Sequence, residues 1–427
     1  MHRALCFCLL LAIPSLAKDI PVGDAVAFRA AQKQLKPGDA LVLAAGEWVD
    51  ANLEFKAEGT KAQPISIKAA VPGQTIFTGN SRLQVSGHHL VIEGLWFRDP
   101  AQTTGEVIEL RTDSDELAYD CVVRQCAVTS SKAVDLGKKT ARFCSIHGTG
   151  HVIERCHFEG KTTGGTLMVV WLQEGLEAKH TIRDNYFGPR PALGKNGGET
   201  IRLGDSESAH LNARCEVMGN LFYQCNGEGE IISVKSNENH FAGNTFLECE
   251  GALTLRHAHR CVVEGNVFLG NGKKMTGGVR IIGEDHVIKG NYLEALAGDD
   301  YRSAFTFMKG IPNSPANGYY EVKRVQVIGN TAIDCKETLS IGEGDRKEAS
   351  LPPRDCVLKD NVFISPKKQL IHLFSEIPGW IWANNVMIGK SIGIDGLAGV
   401  VTTAPKDMVK PKALARSDVG VTWTGIP

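Results

Sequence analysis

One short segment recurs along most of this chain, and it constrains the fold more than any other feature. HLVIEGLWF (89–97), CVVRQCAV (121–128), HVIERCHF (151–158), HTIRDNYF (180–187), CEVMGNLF (215–222), CVVEGNVF (261–268), HVIKGNYL (286–293) and CVLKDNVF (356–363) align with one another, and 240–246, 325–332 and 380–387 follow the same pattern. Each has two or three apolar or β-branched residues, a polar pair, a pivot, and an aromatic or aliphatic residue. The pivot is Leu95, Cys126, Cys156, then Asn185, Asn220, Asn244, Asn266, Asn291, Asn330, Asn361 and Asn385, at intervals of 22 to 39 residues. A strand–turn unit of that length cannot bury its own apolar face, whereas stacked copies bury a continuous core. Propeller blades need roughly 40–50 residues, and helical arrays need helices between the strands, which the short intervals lack. The pattern therefore predicts an all-β fold, a single-stranded parallel β-helix, with the asparagines bonded from coil to coil and tolerating the left-handed bend of a tight turn.

The ends read differently. Residues 1–17 have a basic start at His2 and Arg3, an apolar run from Ala4 to Ile13, and Ser15-Leu16-Ala17 as a small-residue cleavage site. That is the pattern of a signal peptide, too short to span a membrane, and it predicts a secreted or periplasmic protein with no membrane attachment after cleavage. Residues 22–36 are expected to form a helix that caps the first coil, with Val26, Ala27, Ala30, Ala31 and Leu35 on its inner face. The β-helix domain is expected over 18–400, and 401–427 as a C-terminal tail or cap. A formal net charge of -1 gives no case for nucleic acid. Ten of the 12 cysteines follow the signal segment without metal-like CxxC spacing, and several fall at equivalent repeat positions. They are expected to be mostly buried free thiols, with room for a bridge or two.

Long intervals between pivots mark loops at 98–120, 192–212, 294–324 and 336–355, the kind of insertion that borders a binding face in solenoids. Chemistry-bearing residues concentrate between 196 and 281. Lys235 and Arg256 are 21 residues apart, and Arg256 and Arg280 are 24 apart, each close to one coil. Residues one coil apart stand about 4.8 Å from each other. The three are thus expected in one column of positive charge, which needs an anionic ligand or nearby glutamates to compensate it. Glu228 and Glu230, two apart on extended backbone, point the same way.

NGGETIRLG (196–204), GEGEIISVKS (227–236), LTLRH (253–257) and TGGVRI (276–281), in this order and spacing, resemble polysaccharide lyase family 6, the alginate lyase and chondroitinase B family. The resemblance implies a right-handed β-helix and β-elimination on a uronate polymer, alginate first. It implies Ca²⁺ held by Asn196, Glu228 and Glu230, with Lys235 as base and Arg256 as acid. His257 and Arg280 match positions lining the sugar site, and Arg202 is expected as a sugar contact or a partner of the glutamates. A monomer is expected, its cleft formed by one β-helix and its loops. The chemistry suits these types: C5 of a uronate is very weakly acidic, so charge developing at its carboxylate needs neutralising. Lys235 must be neutral to act as base, a form that neighbouring positive charge favours. Guanidinium gives up a proton reluctantly, so Arg256 is expected to stabilise the leaving oxygen while water or His257 delivers the proton. The competing functions are a chondroitinase B-like lyase on dermatan sulfate, a non-catalytic carbohydrate-binding β-helix, and a polygalacturonase-like hydrolase using Glu228 and Glu230 as an acid–base pair.

Overall fold

The structure, a computed structural model, describes residues 17–102, 104–131, 140–344 and 347–425. Apart from Ala17, the expected signal segment lies outside the described residues, as do Cys6 and Cys8. The described chain winds into three parallel sheets of 14, 13 and 14 strands, a right-handed parallel β-helix. One coil shows the plan: Val262–Glu264 lies in the first sheet, Val267–Leu269 in the second and Val279–Ile281 in the third. Each pairs in register with the next coil, Val262 with Val287, Val267 with Tyr292 and Val279 with Phe305. Strands of three residues turn their middle side chain inward, so Val263, Ile288, Val327 and Leu358 are fully buried. Phe158, Phe187, Phe222, Phe246 and Phe268 stack down the interior with centroids 4.5–5.5 Å apart.

The pivot asparagines form the expected ladder at the corner between the first two sheets. Asn244 is typical. Its Nδ2 donates to Asn266 Oδ1 at 2.9 Å and to the Val217 carbonyl at 2.8 Å, and its Oδ1 accepts from the Asn220 amide at 3.0 Å. The same bonds run from Asn185 to Asn385 at 2.8–3.0 Å, fully desolvated. The left-handed residue is not the asparagine, however, but the one before it: Gly219, Gly243, Gly265, Gly290 and Gly329 have φ of 60–62°. In these coils glycine carries the bend, and in the others Asp184, Asp360 and Asn384 do, so the pivot asparagine side chain is left free to satisfy buried backbone groups.

The helix forms as Ala25–Ala31, capped by the Asp24 carboxylate accepting from the Val26 and Ala27 amides at 2.8 Å, and packs on the first strands. Its inner face matches the expected one only in part: Ala31 and Leu35 pack on the core, but Phe28 is fully buried against Phe55, while Val26 is 68% exposed. The C-terminal tail does not cover the last coil. It runs back along the second sheet: Lys410 pairs with Glu294, the Leu414 amide donates to Thr245, Arg416 lies over Tyr186, and Trp423 meets Trp96 near the start. Apolar Val419 and aromatic Trp423 find partners on that flank. All ten described cysteines are free and buried, consistent with their repeat positions. Among the described residues no helix is long and apolar enough to cross a membrane.

Candidate active site

The third sheet carries an outward row in register, Arg202, Ser233, Thr254, Arg280, Thr306 and Ser340. Lys235 and Arg256 lie two residues beyond Ser233 and Thr254, so they are neighbours on adjacent coils as their spacing implied. Arg280 departs from the expected column. It pairs with Thr254 rather than Arg256, because the loop before it carries two more residues than the column requires. It still faces the same side, since side chains two apart share a face.

Glu230 compensates the cations. Its Oε1 lies 3.4 Å from Arg256 Nε and 3.6 Å from Arg280 Nη1, and its Oε2 accepts from Ser233 at 2.5 Å. Its orientation depends on a bulge. Glu230 pairs with Ala252 and Ile232 with Leu253, so Ile231 is an extra residue in the ladder. Without it, Glu230 would face inward with Ile232; a bulge re-aims a side chain in this way. Glu228 lies in the bend before the strand rather than on extended backbone. Its Oε2 accepts from the Gly197 and Gly198 amides of the preceding coil at 2.8 and 3.3 Å. Burial first, then Glu199 and Glu230, raise the Glu228 carboxyl above the usual range. Asn196 is exposed at the rim, on the loop that Glu228 anchors.

Arg256 is held from several sides. Its Nη1 donates to the Gly318 carbonyl at 3.1 Å and to His257 Nε2 at 2.8 Å, and its guanidinium lies 4.3 Å from the Tyr319 ring centroid. His257 is only 2% exposed and does not reach the cleft, so neither sugar contact nor proton delivery falls to it directly. Burial, then Arg256 and Lys235, push its imidazole down to about 3, and the neutral ring orients Arg256. Arg280 donates to the Tyr319 hydroxyl at 2.7 Å and lies 4.8 Å from the Tyr301 ring centroid. Arg202 stands beside rather than in this cleft, its guanidinium 5.1 Å from the Trp171 ring centroid and its Nε donating to the Gly204 carbonyl.

These groups line a cleft of about 410 Å³ that includes Asn196, Glu228, Glu230, Lys235, Arg256 and Arg280. Three of the four long loops border it, through Asn196 and Glu199, Tyr301 and Tyr319, and Glu343. Among the described residues the Lys235 amine has no hydrogen bond or ion pair. Two residues were not singled out from the sequence. Glu199, 5% exposed, lines the cleft and accepts from Thr166 at 3.0 Å. Arg190, 1% exposed, donates to the carbonyls of Gly198, Glu199, Thr163 and Gly165 at 2.8–3.0 Å, fixing the loop that meets Glu228. Glu199 lies inside the 196–204 motif and could have been noticed as a third acid; nothing in the local sequence marks Arg190.

The chondroitinase B family model matches residues 22–412. This chain belongs to the chondroitinase B family. Among solved structures it is similar to the PL6 family alginate lyase AlyGC, with 34% identity and a TM-score of 0.88 over 95% of this chain and 59% of that one. This chain thus spans about three-fifths of that lyase. It is also similar to a mannuronic acid specific polysaccharide family 6 lyase from human gut microbiota, with 26% identity and a TM-score of 0.81 over 95% and 96% of the two chains. The family 6 polysaccharide lyase Pedsa3628 from Pseudopedobacter saltans matches at 25% identity and a TM-score of 0.79, over 95% and 99%. The comparison with curated proteins returned no match.

Proposed function

We propose that this chain is a secreted polysaccharide lyase that cleaves alginate by β-elimination. The observation that carries it is a lysine with no ion pair among the described residues, beside two arginines that share one glutamate, in an open cleft. In this account Lys235 takes the C5 proton, the C5–H electrons form the C4–C5 double bond, and the C4–O bond breaks. Arg256, oriented by His257, Gly318 and Tyr319, stabilises the leaving oxygen, which takes its proton from water. Arg280 holds a uronate carboxylate, its planar fork matching two oxygens. A polygalacturonase-like hydrolase fits less well, because Glu230 is committed to two arginines and Ser233 and Glu228 to backbone amides.

Calcium is part of the same proposal. Asn196, Glu228 and Glu230, with Glu199 behind them, are the hard oxygen donors this cation takes; burial and then the neighbouring Glu199 and Glu230 raise the Glu228 carboxyl, a cost a cation beside it would relieve. Among the described residues no three His, Cys, Asp or Glu side chains are arranged ready for a metal, so Glu228 and Glu230 would have to converge on it. Bound there, the cation would neutralise the substrate carboxylate as a Lewis acid.

The similar structures, an alginate lyase and a mannuronic acid specific lyase, support alginate. The family model's description and the Arg142 and Arg202 guanidiniums around Trp171 favour dermatan sulfate as the second reading. The mature protein should be incubated with alginate, dermatan sulfate and polygalacturonate, each with calcium or chelator, while following the ultraviolet absorbance of an unsaturated uronate. A chelator-sensitive rise on alginate supports the proposal. A rise on dermatan sulfate alone moves the substrate, and no rise on any leaves a binding module.

A further inference from the structure

A second opening lies on the same face, and the proposed chemistry does not use it. It measures about 340 Å³ and is lined by Arg111, Leu117, His147, Trp171, Leu172 and Gln173. Register shows how it relates to the first. The outward row of the third sheet continues backwards from Arg202 through Val169, Ser145 and Glu109. Two residues beyond each member run Arg111, His147, Trp171, Gly204, Lys235 and Arg256. The two openings therefore lie in one lane, and Trp171 stands two coils from Lys235, about 10 Å at the strand spacing. Between them the lane holds Gly204 at φ 81°, where a Cβ would lie 2.4 Å from the Lys235 carbonyl oxygen and 3.1 Å from Leu172 Cδ1. No side chain interrupts the floor at that point.

Trp171 is held as a platform. The Arg142 and Arg202 guanidiniums lie 5.2 and 5.1 Å from its ring centroid, and His147 stacks near-parallel at 6.0 Å. His147 is 8% exposed; its Nε2 lies 3.7 Å from Glu109 Oε1 and has no hydrogen-bond partner among the described residues. Arg111 donates through Nε to Glu109 at 2.7 Å, and its terminal nitrogens make no hydrogen bond among the described residues. A fixed aromatic face beside guanidinium and amide donors suits a pyranose ring that carries a carboxylate.

We propose that this opening is a distal subsite of the same groove, in which an anionic sugar ring stacks on Trp171 and meets Arg111 and Gln173 while another ring of the same chain sits at Lys235. This rests on the polysaccharide reading above and adds to it: a groove that grips two coils away from the scissile bond favours long chains and cuts inside them.

The test compares kcat/KM on a trisaccharide and an octasaccharide of the cleaved polymer for wild type, Trp171→Ala, Trp171→Phe and Arg111→Ala. Trp171→Ala is expected to lose roughly tenfold more on the octasaccharide than on the trisaccharide, the scale of one aromatic contact, with Trp171→Phe retaining most of it. Arg111→Ala is expected to lose affinity for the longer chain in a salt-sensitive way. In parallel, octasaccharide binding to Lys235→Ala, with and without Trp171→Ala, is read by calorimetry. An unchanged long-to-short ratio and unchanged binding in folded Trp171→Ala protein overturn the subsite and leave the lyase reading intact. A wild type that cleaves nothing, with binding still lost on Trp171→Ala, removes the lyase reading and keeps the subsite.

Discussion

The two sides of each coil obey different rules. At the pivot corner the coils from Asn185 to Asn385 repeat one solution, a glycine, aspartate or asparagine in a left-handed bend and an asparagine bonded to its neighbours above and below. At the third sheet the coils differ one from the next. A bulge at Ile231 turns Glu230 outward, loops of unequal length displace Arg280 from the Lys235–Arg256 line, and Arg190 pins a loop by its carbonyls. The regular corner supplies stability, and the irregular face spends part of it on gathering like-charged groups. The comparison teaches that in a solenoid the residues that repeat hold the fold, and those that break the repeat are candidates for chemistry.

Substitutions on the two sides should therefore separate activity from stability. Lys235→Ala is expected to lower kcat/KM by about 10³-fold or more while the melting temperature stays within about 2 °C, since a general base contributes on that scale and a half-buried amine without partners among the described residues contributes little to folding. Asn244→Ala is expected to do the opposite. It removes a desolvated amide with three partners, at about 3 kcal/mol of stability by chemical denaturation, and leaves kcat/KM of the folded protein unchanged.

The corner between the third and first sheets gives a pH signature. His151 and His286 accept a backbone N–H through Nδ1, from Cys121 and Cys261, and face carbonyls through Nε2, so each must be neutral. Burial pushes both down to about 4. The unfolded chain binds these protons more readily than the folded one, so their contribution is whole above about pH 6.5 and is lost as pH falls toward 4. Thermal melts between pH 7 and 4.5 should show a falling midpoint, shallower in His286→Gln.

Arg190 joins the two sides, because it lies in the core but acts on the cleft. Arg190→Gln is expected to lower stability by roughly 2 kcal/mol and also to weaken calcium binding measured by calorimetry, since four buried carbonyls lose their donor and the Asn196–Glu199 loop loses its anchor. A loss of stability with unchanged calcium binding would confine Arg190 to the fold. The smallest effect is expected at His257→Ala, a roughly tenfold fall in kcat with the pH–rate profile retained, because the imidazole stays neutral through the working range and acts by orienting Arg256.

The repeat, the ladder and the clustering of Lys235, Arg256, Glu228 and Glu230 were legible because each depends on spacing along the chain. The loops around the cleft were legible for the same reason. The bulge was not, since the same seven letters from Gly229 to Lys235 fit a regular strand, and only pairing with Ala252 and Leu253 shows the extra residue. Arg280's offset shows only in the pairing of Thr254 with Arg280, and the burial of His257 depends on how the loop holding Gly318 and Tyr320 folds back over the sheet. The tail's direction was hidden because its partners, Glu294, Thr245, Tyr186 and Trp96, are spread over many coils.

The central claim is elimination at Lys235 rather than hydrolysis at the glutamates, and solvent-oxygen labelling separates them most directly. Alginate cut in ¹⁸O-labelled water should give product pairs that carry no solvent oxygen and one new double bond per cut, absent in Lys235→Ala. One labelled oxygen per cut, with no unsaturated end, would contradict the account.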